Sequence, residues 1–344
     1  MFKKTWKQIK IFVILIILLI CLPHSVLSQR VSTVEKADLE KYKKLNENEQ
    51  RLIEYKDNDE ALSLKIDQLE YINISRKRHN AAPVSLDILA SRVANKMCRE
   101  AADNAYLGHW DLAGEEPYLR YAFAGGYDHV SENAYGEWSS DNYYISSQTI
   151  TSMMKSGHDK FMAERSPNDG HKENIINKAH NFVGIGFYLS GKQFRYYEEF
   201  IDRYLQFENI PESMKVGNAG SITVKTNGSY LYYMIIYREK LPKKLTPVEI
   251  SRRGGYADFT DEIYKQMPAW DLARYRNENI YVIPISFSKE GLYYIQLYSD
   301  RKEITNSTSL NTKGKNPESG IVILSLIHIS EPRDRTRSRM PSSA

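Results

Sequence analysis

The chain is 344 residues long, 42% hydrophobic and 26% charged, with a formal net charge of +4. That charge sits at the ends: the first 28 residues carry +4 and residues 324–344 carry +2, which leaves −2 between them. The balance excludes the broad basic surface that a nucleic-acid partner requires.

Residues 1–28 read as a secretory signal peptide. Lys3, Lys4, Lys7 and Lys10 form a basic start, and Ile11 to Leu22 form an apolar run too short to span a bilayer comfortably. Val26 and Ser28 are small enough for the cleavage positions, so the expected product starts at Gln29 and has no transmembrane span. The expected location is secreted, periplasmic or extracellular. Past the leader only Cys98 remains, so no internal disulfide is expected and an apolar core must hold the fold. Cys98 lies in a helical pattern beside Met97, which points to packing rather than reactivity.

Residues 29–64 form a polar, helical or loose lead-in with sparse apolar anchors. Ile66 to Arg78 carries apolar residues at roughly helical spacing, and Pro83 breaks the pattern. Ser85 is the expected cap of a helix whose face is Leu86, Leu89, Ala90, Val93, Ala94, Met97 and Ala101, ending near Asn104. GHWD, Gly108 to Asp111, follows that C-terminus. Leu112 to Trp138 reads as irregular, with a tight turn at Gly125-Gly126 and the run SENAYGE, Ser131 to Glu137. A further helix is expected from about Ser146 to Ala163, then a turn at SPNDG, Ser166 to Gly170. Asn181 to Leu189 alternates like a strand, Gly191 turns the chain, and Gln193 to Leu205 returns as a hairpin. Gly184 and Gly186 suggest close strand packing rather than a nucleotide loop, and His129 and His180 read as solvated loop histidines. Helices followed by a hairpin predict an α+β sandwich over residues 65–205.

From residue 206 the texture becomes β-rich. SITVKTN, SYLYYMIIYRE, NIYVIPISFS and GLYYIQLYSD alternate apolar and polar residues, with turns at Asn227-Gly228 and Lys289-Glu290-Gly291. Residues 206–323 are expected to form a small β-sandwich, truncated at its end. Residues 324–344 read as a translated sequencing adapter rather than native protein, so no function is drawn from His328 or from Arg333, Arg335, Arg337 and Arg339.

Two runs carry the chemistry. GHWD with SENAYGE, and SPNDGHKENIINKAHNFVGIGF from Ser166 to Phe187, place histidines and carboxylates beside turns. There they can bind a metal, move a proton or brace the fold. The order of GHWD, SENAYGE, GHKENI, VGIGF and EEFIDRYL resembles the CAP superfamily, also called SCP-like or cysteine-rich secretory proteins, in its disulfide-free bacterial type. The resemblance implies an α-β-α sandwich with a cleft of two His and two Glu. By motif these are His109, Glu132, His171 and a helical Glu three residues after an aromatic. Glu164 after Phe161 fits that spacing, with His158 and Asp159 as rivals one turn earlier.

Two imidazoles, His109 and His171, would hold a divalent ion such as zinc or magnesium weakly, with water in the other positions. The expected function is an exported, non-catalytic module for a small or lipidic ligand, or for an envelope or surface partner. The competing expectation is a metal-dependent extracellular hydrolase with Glu132 or Glu164 as general base. A third is an interaction protein that docks through its β-rich region. The chain has no HExxH and no GxSxG.

Overall fold

The computed structural model describes residues 38–256, 262–305, 312 and 315–326. The expected signal peptide and residues 327–344 of the expected adapter segment lie outside the described residues. The chain divides into two compact units, residues 1–48 and 49–344. In the first, residues 38–48 are helical, with Lys43 3.6 Å from Glu40.

In the second unit a 3-10 turn, Ile53–Tyr55, precedes α1, Asp59–Arg78, which Asn58 caps by accepting from Ala61 N at 2.8 Å. A short strand β1, Ser85–Leu86, leads into α2, Ile88–Asp103. Ser85 is thus paired in a sheet, and Asp87 caps α2 by accepting from Ala90 N at 2.7 Å. The helix starts later than its apolar rhythm suggests because Leu86 is buried from a strand. The stretch expected to be irregular holds α3, Pro117–Phe123, and β2, His129–Trp138. Then come α4, Ser147–Met162, α5, Gly170–Ile176, β3, Phe182–Ser190, and β4, Gln193–Asp202.

The sheet order is β1-β3-β4-β2, with β3 and β2 both antiparallel to β4. Alternation along β4 assigns its two faces. Tyr197 and Ile201 pack with α2 and α3, whereas Tyr196 and Glu198 meet Gln68 of α1 and His158 of α4. This is an α-β-α sandwich. Helix α2 lies unusually close to β3, since a Cβ at Gly184 would fall 2.4 Å from Ala90 and one at Gly186 2.4 Å from Ala94.

The β-rich region forms two sheets. One is built from β5 (Leu205–Glu208), β7 (Ala219–Thr226), β10 (Arg276–Asn277) and β11 (Ile280–Ser286). The other runs β6-β13-β12-β8-β9, from β6 (Ser213–Lys215), β8 (Tyr230–Glu239), β9 (Ile263–Pro268), β12 (Gly291–Asp300) and β13 (Ile321–Leu326). Leu324 to Leu326 of the expected adapter segment therefore pair with β6. Ile222, Val224 and Ile283 of the first sheet meet Met234, Ile236, Ile295 and Ile323 of the second, a β-sandwich core.

The second sheet is buried on both faces. Its other side presents Ile235, Tyr237, Leu292 and Tyr294 to Leu89 and Val93 of α2 and to Tyr118 and Leu119 of α3. That explains the near-continuous apolar runs of β8 and β12. Polar ties cross the same contact: the Tyr118 hydroxyl donates to Glu239 at 2.8 Å, and Asn316 Nδ2 donates to Asp202 Oδ2 at 2.9 Å.

Candidate functional site

The His109 loop is pegged from several sides. After α2, Ala105 takes a positive φ of 53° and turns the chain back over the sheet. The Tyr197 hydroxyl donates to Gly108 O at 2.7 Å, and Arg120 Nη1 donates to His109 O at 2.6 Å. His109 Nδ1 then meets Glu132 Oε1 at 2.8 Å. Glu132 is buried, and its other oxygen accepts from Arg120 Nη2.

Behind Glu132 lies Glu199, also buried. Neither Glu199 oxygen meets a donor, and the residue stands opposite Glu132 in the β2–β4 ladder. Two carboxyls buried side by side do not both ionise, so one carries a proton. Burial, followed by the Glu132 charge, pushes Glu199 well above the carboxylate range, so Glu199 is the protonated partner. Arg120 and ionised Glu132 then cancel. Burial, with the Arg120 guanidinium behind it, lowers His109 to about 4 and leaves the ring neutral at pH 7.

The other half of the cleft comes from the opposite layer. His171 on α5 sets Nδ1 2.5 Å from Glu164 Oε1, while its backbone N donates to Glu164 Oε2 at 3.0 Å. Phe161 stacks on the His171 ring at 4.7 Å. The His109 and His171 rings are 6.4 Å apart. The structure thus brings His109, Glu132, Glu164 and His171 together.

The rivals fall elsewhere. His158 is buried between Glu198 Oε1 at 2.8 Å and Ser75 Oγ at 2.9 Å, and Asp159 accepts from the Tyr71 hydroxyl. Both cleft carboxylates face an Nδ1, which fixes each imidazole and leaves Nε2 as the nitrogen with ligand capacity. Among the described residues no cluster of three or more His, Cys, Asp or Glu forms a metal cage, so an ion here would take two protein nitrogens.

His129 and His180 are buried rather than solvated, because both ring Nδ1 atoms face Asp202, at 3.0 and 2.6 Å. Ser131 Oγ lies 3.4 Å from His180 Nε2, which outlines a Ser–His–Asp row. Its wiring is wrong for a nucleophile. Asn133 Nδ2 donates to Glu198 and to His171 O, so Asn133 Oδ1 must accept from Asn174 Nδ2. Asn174 Oδ1 is consequently an acceptor, and the Ser131 hydroxyl donates to it at 2.7 Å, so the hydroxyl proton is turned away from His180 Nε2. Cys98 is buried, which pushes its thiol up and leaves it inert.

Arg120, Glu199 and Tyr256 are site residues to which the sequence reading gave no role. Glu199 stands in the EEFIDRYL motif, and alternation from Tyr197 would have put it on the Glu132 face. Arg120 lay in the stretch read as irregular. Tyr256 comes from the β8–β9 connection: its hydroxyl accepts from Glu132 N at 2.6 Å, and its ring lies 4.8 Å from His109.

Residues 69–200 match the model of the Cysteine-rich secretory protein family, CAP, and this segment is a CAP domain. No curated protein matches the chain. Among solved structures it is similar to an extracellular SCP-domain protein from Bacillus anthracis, at 20% identity over 40% of this chain and 39% of that one, with a TM-score of 0.31. It is also similar to an outer surface protein of Borrelia burgdorferi, at 18% identity over 41% and 92% with a TM-score of 0.32. The CAP domain of enterococcal PrgA overlaps 50% of this chain and 77% of its own, at 14% identity and a TM-score of 0.32. The chain therefore spans about two fifths of the Bacillus anthracis protein. No described helix is long and apolar enough to cross a membrane.

Proposed function

We propose that the protein is an exported binding module whose His109/His171 cleft holds a divalent cation and, through it or beside it, a small or lipidic ligand or a surface partner. The observation that carries this reading is the pairing of each Nδ1 with its own carboxylate. Such pairing fixes the tautomer, orients the ring and raises the basicity of the opposite nitrogen. Two metal–nitrogen bonds of about 2.0–2.1 Å each fit within a ring separation of 6.4 Å. Imidazole donors favour zinc over magnesium, which prefers oxygen. With water in the remaining positions, binding is weak and exchangeable.

The same contacts weigh against hydrolysis. A general base needs an available oxygen, yet Glu132 is occupied by His109 and Arg120, and Glu164 by the ring and backbone nitrogens of His171. Calorimetric titration with zinc tests the reading. The mature protein should bind one ion, and a His109→Ala, His171→Ala double variant should not. Equal binding by the two proteins would sink it.

A further inference from the structure

The β8–β9 connection leaves the sandwich and lies along the CAP domain. Leu245 N donates to Leu112 O at 3.0 Å, and Lys243 O sits 2.0 Å from where a Cβ on Gly114 would fall. A short helix, α6 (Pro247–Ser251), follows, closed by a capping box between Thr246 and Glu249. Its Ile250 is fully buried among Met97, Cys98, Tyr106, Trp110 and Tyr197. Gly108 is needed there, since a Cβ would fall 2.7 Å from Ile250 Cγ2. Arg253 lies 4.7 Å over the Trp110 ring. All these contacts bracket the loop that presents His109, and the strap ends with Tyr256 on the imidazole itself.

Accessibility reflects this. The side chain of His109 is 14% exposed, against 34% for His171, although both line one cleft. The two histidines differ in what lies on them from outside the CAP sheet: on the His109 side it is Tyr256, held by Glu132 N.

We propose that Tyr256 is a binding-site residue supplied by the C-terminal sandwich, and that it restricts access to His109 while leaving His171 open. A ligand enters from the His171 side and reaches His109 when the phenol ring yields. The inference rests on where the cleft lies and not on its occupant, so failure of the cation reading leaves it standing.

Modification of the purified protein by diethyl pyrocarbonate, followed residue by residue by mass spectrometry, is the test. Tyr256→Ala should speed modification of His109 by about tenfold, the ratio that about 1.4 kcal/mol of ring contact and anchoring corresponds to. His171 should change little. Tyr256→Phe keeps the ring but loses the hydroxyl that accepts from Glu132 N, and should give a smaller rise at His109 alone. Val248→Ser, at an exposed position of α6, is the control and should leave both rates unchanged. Equal His109 rates in wild type and Tyr256→Ala would overturn the proposal. So would a parallel rise at both histidines, or a rise in the control matching that of Tyr256→Ala.

Discussion

Glu132 and Glu199 stand directly opposite each other in the β2–β4 ladder, on the sheet face that meets α2 and α3. Two ionised carboxylates buried at that spacing would repel strongly. One guanidinium, Arg120, serves both: it bonds Glu132 and lies 3.8 Å from Glu199. The stable arrangement is one cation, one anion and one neutral acid. This neutral cluster lets a carboxylate sit beneath His109 without leaving a net buried charge.

Glu199→Gln should therefore be tolerated, because an amide is neutral and similar in shape. We expect a change within about 1 kcal/mol in urea denaturation at pH 7, against about 3 kcal/mol for Glu199→Ala, which opens a cavity. Gln proving as damaging as Ala would mean that Glu199 is ionised in the folded protein.

The CAP sandwich and its cleft were legible because their signals are local. His109 follows a helix end, His171 follows a turn-rich run, and Glu164 stands three residues after Phe161. Its rival His158 is separated from the cleft only by tertiary structure: a helical turn earlier on α4, its side chain points into the core toward Glu198. Ser85 is the wrong cap because it pairs with Phe182 across 97 residues, a long-range contact that leaves the capping to Asp87. Tyr256 was illegible for the same reason. It reaches Glu132 from 124 residues away, and nothing in a strand-rich stretch marks one tyrosine among 25 as part of another domain's site. His129 and His180 looked solvated because their common partner, Asp202, lies on β4.

Asp202 holds the two histidines together and also receives Asn316 from the sandwich. Burial alone would raise its carboxyl, but the hydrogen bonds from His129 and His180 outweigh this and hold it well below the usual range. Asp202→Asn should cost about 2–4 kcal/mol, since an amide nitrogen cannot accept from an imidazole N–H and a buried donor is left unpaired. Thermal unfolding reads this directly. An unchanged midpoint would show that the histidines find other partners.

Gly184 tests the sheet–helix contact. A methyl group there would lie 2.4 Å from backbone and Cβ atoms of Ala90, and backbone cannot swing aside like a long side chain. Gly184→Ala should destabilise by about 1–3 kcal/mol as α2 is pushed from β3. Gly254→Ala, where no atom lies within 4 Å, should stay within about 0.5 kcal/mol. Similar losses at the two positions would remove the packing account of the VGIGF run.

The pH dependence of stability follows from His109. Unfolded, its imidazole titrates near 6.5; folded, burial and Arg120 lower it to about 4. Between those values the unfolded chain holds a proton that the folded chain refuses, so stability rises with pH across the window. The contribution is complete above about pH 6.5 and is lost as pH falls to about 4, with an upper bound on the order of 3 kcal/mol. Glu199 acts in the opposite sense: its raised value favours the folded state at low pH, and that advantage declines as pH climbs past the ordinary carboxylate value of 4.5. A raw stability curve mixes the two. The difference between wild type and His109→Asn isolates the imidazole, and it should change by a few kcal/mol between pH 4 and 6.5 and flatten above. A difference flat across the whole range would place the His109 ring in water rather than beneath Tyr256.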